Sequence, residues 1–370
     1  MKHIALVNPF VPHYREEFYR KLSQRYRLDV FVYDGIQSGK NGFNISPFPT
    51  TGLKVASFLK KRFIAYDIRP FLSPKYDVIV LMLHFGHLST WLLLFLNLFS
   101  RKRVILWGQG ISVKRYLNEI DEPSLLLRWM IKMSDGIWIY TEPEAKLWRK
   151  LFPSKPILAI NNTVSGLTGI LNDNRVVPKS VLKEQFGIKE QVCLIFCARF
   201  NNSFRRIDLL IETIARLDNK RYGFIIIGDG ALKPDFSTYT NVHDFGAVYD
   251  EKIKSQLFGI ADIYFQPGWI GLSVVEAMAY GKPILTFRRS ADTHQCVEYH
   301  YIEDGINGYI EADIEHLLDR VNHTSLTVWS EMGNAARQIV AAQLSMEQMV
   351  DRAAKVVEAV TSNQAASIQQ

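Results

Sequence analysis

Along most of the chain, short unbroken apolar runs alternate with stretches of helical period. In the first half, the runs 3–8, 28–33, 78–83, 104–107, 136–140 and 157–160 read as strands, and helices open at His13, His87, Pro123 and Glu142. Strands that are apolar at every position, not at alternate ones, belong to a parallel sheet covered on both faces. A polar stretch without clear period, 163–189, then interrupts the alternation. The pattern restarts with runs at 192–197, 223–227, 242–245, 262–265 and 283–287 and helices from Arg206, Asp250 and Ser273. Two such alternations in tandem predict an α/β protein of two Rossmann-like, doubly wound domains, 1–164 and 190–345, joined by a linker at 165–189. A helical pattern at 346–361 is placed to pack back onto the first domain.

The longest apolar stretch, 88–99, covers only 12 residues and contains Ser89, Thr90 and Asn97. A bilayer-spanning helix needs about 20 residues. The pattern favours a buried helix of a doubly wound domain over one lying at a membrane surface.

Length and composition agree with two globular domains: 370 residues exceed what one core usually supports, and 48% are hydrophobic. The apolar residues 4–7 meet Pro9 too soon for a signal peptide, so a cytoplasmic location is expected. Cys193, Cys197 and Cys296 form no CxxC pair and read as reduced, structural thiols.

Charge changes the picture more. Residues 1–165 hold 24 Lys/Arg against 12 Asp/Glu, whereas the remainder holds 20 against 25. Basic clusters at Lys60-Lys61-Arg62, Arg101-Lys102-Arg103, Lys114-Arg115 and Lys146-Arg149-Lys150 are interleaved with Phe63, Trp91, Trp107 and Trp148. Such a face suits an anionic surface. No helix-turn-helix, zinc-finger or RRM signature accompanies it, so an anionic membrane leaflet or a lipid-phosphate acceptor fits better than nucleic acid.

Candidate chemistry concentrates at 266–281, QPGWIGLSVVEAMAYG. A strand ends near Phe265, a loop with Gly268 and Gly271 follows, and a helix opens near Ser273. Backbone N–H groups at such a junction point outward with the positive end of the helix dipole and suit a phosphate. Ligands of open α/β sheets bind at this carboxyl edge. Glu276 has two readings: partner of Ser273 in an S-x-x-E capping box, or acceptor of hydrogen bonds from ribose hydroxyls.

An ordered set of motifs resembles retaining glycosyltransferases of family 4, over nearly the whole chain. The set comprises Cys197-Ala198-Arg199-Phe200 with Arg205-Arg206-Ile207-Asp208-Leu209-Leu210-Ile211, then Gly228-Asp229-Gly230, and Asn241-Val242-His243-Asp244-Phe245-Gly246. It continues with Ala261-Asp262, Glu276-Ala277-Met278-Ala279-Tyr280-Gly281-Lys282-Pro283 and Glu303-Asp304-Gly305-Ile306-Asn307-Gly308. The PGWIGLS loop is similar to a subset of that family making bacterial surface polysaccharides and O-antigens. The resemblance implies a GT-B fold, two Rossmann-like domains facing across a cleft. It implies a nucleotide diphosphate sugar as co-substrate and no metal, with Arg199 and Arg205 as the cations at the departing diphosphate and Glu276 at the ribose. It assigns the donor to Gly228, Asp229, Gly230, Val248, Gly268, Trp269, Ile270, Gly271, Leu272 and Ser273, with backbone amides of residues 269–273 holding phosphate and sugar hydroxyls. Two cations can neutralise a diphosphate that other folds neutralise with a divalent ion.

Two departures stand out. The family usually has a glutamate eight positions before the one matched by Glu276, but Gly268 occupies that place. Gln109, in Trp107-Gly108-Gln109-Gly110, stands where similar proteins often have histidine; it donates a hydrogen bond but shuttles no proton. His13, Tyr14 and Arg15, in a loop resembling the same subset, are assigned with His84, Gln109 and Gly110 to the acceptor, a glycan or lipid-linked glycan.

No GxGxxG, P-loop, HExxH or GxSxG occurs, which leaves dehydrogenase, NTPase, zinc-protease and serine-hydrolase readings without their minimal parts. Two alternatives share the architecture: a nucleotide-sugar 2-epimerase, for which no paired carboxylates are evident, and a degenerate member that binds nucleotide sugar without turnover.

Overall fold

The computed structural model describes residues 1–34, 46–60, 62–173 and 177–362; Lys61 of the first basic cluster lies outside them. The chain divides into two compact units, one of residues 1–165 with the segment from Met346 onward, the other Gly166–Ser345.

The first unit contains β1 (His3–Asn8), β2 (Arg27–Val32), β3 (Thr51–Gly52), β4 (Val55–Phe58), β5 (Phe63–Tyr66), β6 (Val78–Met82), β7 (Arg103–Gly108), β8 (Gly136–Ile139) and β9 (Ile157–Ala159). Seven of these form a parallel sheet in the order β3-β2-β1-β6-β7-β8-β9, while β4 and β5 pair as a separate antiparallel hairpin. One sheet face is covered by Leu93, Leu94, Leu127, Met130, Ile131 and Trp148 from helices Leu88–Asn97, Leu125–Met133 and Glu142–Leu151. The other is covered by Phe18 and Leu22 of helix Glu16–Arg25 and by Met349, Val350, Val356 and Val357 of helix Met346–Ser362. Trp138 Nε1 of β8 donates to the Ala353 carbonyl at 3.1 Å, so the last helix is a structural part of this unit.

The expectation of a buried helix at 88–99 holds for one face only and is corrected for the other. Helix Leu88–Asn97 turns Ser89 and Thr90 inward with Leu93 and Leu94, because both hydroxyls find partners there. Ser89 Oγ donates to the Tyr66 carbonyl at 2.6 Å, and Thr90 Oγ1 lies 2.9 Å from the Tyr66 hydroxyl. Leu88, Leu92, Phe95, Leu96 and Phe99 are left exposed.

The second unit contains β10 (Val192–Cys197), β11 (Tyr222–Ile227), β12 (Val242–Asp244), β13 (Ile263–Phe265), β14 (Ile284–Phe287) and β15 (Gly308–Glu311). They form one parallel sheet in the order β12-β11-β10-β13-β14-β15. Strand β15 and helices Ile314–His323 and Leu326–Gln343 extend the unit beyond the last strand read from the pattern.

The linker at 165–189 is a second correction. Two helices, Leu167–Asn172 and Lys179–Phe186, occupy it and belong to the second unit. Arg337 fixes the first by donating to the Leu171 carbonyl at 2.6 Å, and Lys179 fixes the second through an ion pair with Asp262. Short helices with few apolar positions leave too weak a period to read.

Candidate functional site

In the second sheet the chain runs outward in opposite directions from the neighbours β10 and β13, the switch point at which loops at the strands' carboxyl ends part. The loop 198–206 follows β10, and the loop 266–272 follows β13. A third loop, 288–296, follows β14. All three interlock. Phe204 stacks on Trp269 with ring centroids 5.1 Å apart and meets His294 edge-on at 4.7 Å. Arg206 Nη1 donates to Thr293 Oγ1 at 2.7 Å. Arg206 and Trp269 both take left-handed backbone at φ 53°, strain that a non-glycine residue holds only where surrounding contacts over-determine it.

Gly268 sits inside this junction. A Cβ there would stand 2.5 Å from the Phe204 carbonyl oxygen, so no side chain fits, least of all a glutamate. The backbone of the arginine loop fills that space.

Beside the junction lies Arg205. Its Nε and Nη1 are sealed from solvent and have no hydrogen-bond partner. Burial pushes its pKa down; Tyr264 and Cys296 oppose this, and the nearby Arg199 charge reinforces it. The guanidinium remains cationic, because its ordinary pKa exceeds 12. A buried cation without acceptors is costly unless a ligand supplies them, and two adjacent guanidiniums specify an anion. Both arginines lie on the loop after β10, near enough for the Arg199 charge to act on Arg205. Burial also pushes the Cys197 thiol up to about 12, keeping it protonated and inert.

Two buried glutamines, not singled out from the sequence, hold the loop 266–272. Gln266 Nε2 donates to the carbonyls of Gly268 at 3.1 Å and Trp269 at 2.7 Å. Gln295 accepts from the Ile270 amide at 2.9 Å and donates to the Phe287 carbonyl at 2.9 Å. The Trp269 amide is taken by the His294 carbonyl at 2.7 Å. The expected row of ligand-binding amides from 269 to 273 is therefore shortened: Trp269 and Ile270 spend theirs inside the fold. Gly271, Leu272 and Ser273 remain, leading into helix Ser273–Ala279.

The capping box is also corrected. Ser273 is already the first helical residue, and its Oγ lies 2.8 Å from the Tyr264 hydroxyl and 3.2 Å from Gln266 Oε1. Glu276 pairs instead with Lys254 at 2.7 Å. Burial alone would push the Lys254 ammonium down, but the Glu276 and Glu251 carboxylates outweigh it and raise its pKa.

Gly228 and Gly230, at φ 142° and 153°, close the same edge after β11. Cβ atoms there would stand 2.1 Å from the Ala198 carbonyl oxygen and 2.2 Å from Asn201 Oδ1, so both glycines let two loops touch. Asp229 accepts from the Ala247 amide at 2.9 Å and from Lys233 at 3.1 Å, fixing the turn that ends at the half-buried Val248.

In the first unit, His13, Tyr14 and Arg15 follow β1, His84 follows β6, and Gln109 and Gly110 follow β7, all at carboxyl ends of their strands. His13 and His84 are exposed. Arg15 departs from its expected acceptor role. It is buried over the Trp107 ring and donates to Asn162 Oδ1 and, at 3.2 Å, to Met349 Sδ, holding the last helix. Gly110, at φ 79°, has no room for a Cβ, which would stand 2.7 Å from Glu144 Oε2. His87, missed by sequence reasoning, stacks on His84 at 4.6 Å and lies 3.5 Å from the Tyr33 hydroxyl.

Comparison with known proteins bears on the same loops. No curated protein matches the chain in sequence. Residues 191–325 match the family model described as Glycosyl transferases group 1. This stretch is similar to a group 1 glycosyltransferase domain. The group 1 match spans every loop of the switch-point site. Solved structures extend the likeness over the full length. Sucrose-phosphate synthase from Thermosynechococcus elongatus is similar at TM-score 0.69 and 14% identity, covering 98% of this chain and 100% of that one. Anabaena HepE in complex with UDP is similar at 0.64 and 14%, covering 97% and 100%. WaaG, a glycosyltransferase involved in lipopolysaccharide biosynthesis, is similar at 0.58 and 17%, covering 96% and 99%. At these identities the likeness shows the fold: two Rossmann-like domains of the GT-B type. Among the described residues, no helix is long and apolar enough to cross a membrane.

Proposed function

We propose that the chain transfers a sugar from a nucleotide diphosphate sugar to a hydroxyl of a lipid-linked or growing glycan, as in family 4 and its surface-polysaccharide subset. The reading places it in the cytoplasm, at the inner face of a membrane. The observation that carries it is Arg205, half-buried near Arg199 at the switch point with two of its nitrogens sealed and unpartnered. A diphosphate supplies the acceptors those nitrogens lack. The group 1 match and a fold relative solved with UDP support the nucleotide class.

The bond from the anomeric carbon to the diphosphate oxygen breaks, and one to the acceptor oxygen forms. The acceptor's proton passes to the departing diphosphate, so no protein base is required. Configuration is retained, as in the family. Arg199 and Arg205 hold the developing negative charge without a metal ion. Glu276 receives the ribose hydroxyls, and the amides of Gly271 to Ser273 receive phosphate.

A thermal-shift screen of nucleoside diphosphates and their sugars tests the reading, since bound ligand raises apparent stability by mass action. A rise with at least one diphosphate, and sugar transfer that survives EDTA, are expected. No response to any of them would refute the donor site. Sugar isomerised without acceptor would assign the chain to the epimerases instead, and donor binding without turnover across acceptors would make it a binding protein.

A further inference from the structure

One side of the first unit is apolar on the outside. Leu88, Leu92, Phe95 and Phe99 recur at helical spacing along the solvent face of helix Leu88–Asn97 and its extension, with Phe99 80% exposed and its ring 5.7 Å from that of Phe95. Helix Leu125–Met133 lies on the same sheet face, since its Leu127 and Ile131 share a core with Leu93 and Leu94. It exposes Leu125, Leu126 and Trp129. The hairpin β4–β5 lies against the start of the first helix, with the Ile64 amide donating to the Gly86 carbonyl at 3.0 Å, and it exposes Phe58 and Leu59. Helices of soluble domains keep such stripes inside.

The charge around this face is mainly basic: Glu119, Asp121 and Glu122 are the acidic residues between the two helices, and Glu119 is paired with Arg115 at 2.7 Å. From Val78 to Asn118 the chain carries five Lys/Arg and no Asp/Glu, and helix Leu125–Met133 adds Arg128 and Lys132 without an acidic residue. Lys132 Nζ lies 5.2 Å from the Trp129 ring centroid, a basic group directly beside an exposed aromatic. Lys132 also lines, with Arg103 and Lys155, a pocket of about 480 Å³. The one carboxylate in that pocket, Asp135, is answered by Arg103 at 3.0 Å and by the Val104 amide at 2.7 Å.

We propose that this face seats the protein on an anionic lipid leaflet. Its Leu, Phe and Trp side chains enter the boundary between headgroups and acyl chains, and its lysines and arginines meet lipid phosphates. A second copy of the chain is the poorer occupant, because a two-fold contact would set these cations against themselves. The inference rests on the membrane part of the proposed function, gives it a surface, and uses no residue of the donor site.

Vesicle flotation tests it with the full chain, using phosphatidylcholine alone or mixed equally with phosphatidylglycerol. The wild type is expected to float with the mixed vesicles and to detach at high salt. The triple variant Phe95→Ser/Phe99→Ser/Trp129→Ser is expected to lower the bound fraction about tenfold or more, with melting temperature and response to UDP unchanged. Absence of wild-type flotation on mixed vesicles would overturn the proposal. So would flotation indifferent to the triple variant, or a two-copy mass in solution that the variant reduces to one copy while vesicles bind neither. Flotation that depends on the patch in a protein that responds to no nucleoside diphosphate or its sugar would uphold the docking surface and sink the sugar-transfer reading alone.

Discussion

Arg205 concentrates the residue-scale argument. A guanidinium whose Nε and Nη1 are shut off from water and unbonded within the protein destabilises the empty fold, so Arg205→Met is expected to leave the ligand-free melting temperature equal or higher. Nucleoside diphosphate affinity should fall by about 100-fold, the equivalent of two charge-assisted hydrogen bonds, measured by calorimetric titration. A lower melting temperature with unchanged affinity would make Arg205 a structural residue. Glu276→Gln keeps a side chain of the same shape while Lys254 retains Glu251 at 3.0 Å, so folding should survive. Donor turnover should drop, and wild-type kcat/KM in this variant would remove Glu276 from the ribose. The Ser-x-x-Glu spacing made a capping box the natural alternative, yet Ser273 bonds Tyr264 and Gln266 on the preceding strand and loop. Spacing sees partners within one helix and is blind to those the sheet brings up. Gln266 left a faint signal, a polar residue directly after the apolar run ending at Phe265; Gln295 left none.

At the scale of elements, the site depends on loops that lock before any ligand arrives. Gly268→Ala would press a methyl against the Phe204 carbonyl, displacing backbone, not a side-chain tip. The expected destabilisation is about 1–3 kcal/mol, read as a lower melting temperature of the second unit in calorimetry. A side chain tolerated there at no cost would mean that the loops are looser than their contacts imply. The start of helix Leu88–Asn97 offers a pH test. Burial, helped by His84, pushes His87 down to about 3, so the folded protein holds it neutral while the unfolded chain protonates it near 6.5. Stability present above pH 6.5 is therefore lost as pH falls toward 3. The melting temperature of the wild type should fall more steeply between pH 7 and pH 4 than that of His87→Asn; parallel curves would refute the assignment. The same helix shows where pattern reading ends. Its period was legible, but period alone cannot tell a buried stripe from an exposed one when two hydroxyls take the inward places.

For the whole molecule, the double strand–helix alternation was legible because parallel strands are apolar at every position, and each unit repeats it. The short helices around residue 170 were not, since few of their residues face a core. The last helix matters most at this scale. Met346–Ser362 covers one face of the first sheet with Met349, Val350, Val356 and Val357, and Arg15 and Trp138 reach it directly. Deleting the chain from Met346 onward should leave the first unit unable to fold while the second keeps its transition; two intact calorimetric transitions would contradict the packing. The consequence reaches into synthesis. A ribosome must make all of Gly166–Ser345 between the two pieces of the first unit. At roughly 5–20 residues per second the nascent sheet waits on the order of ten seconds with one side bare, a window for chaperones that the later unit does not need.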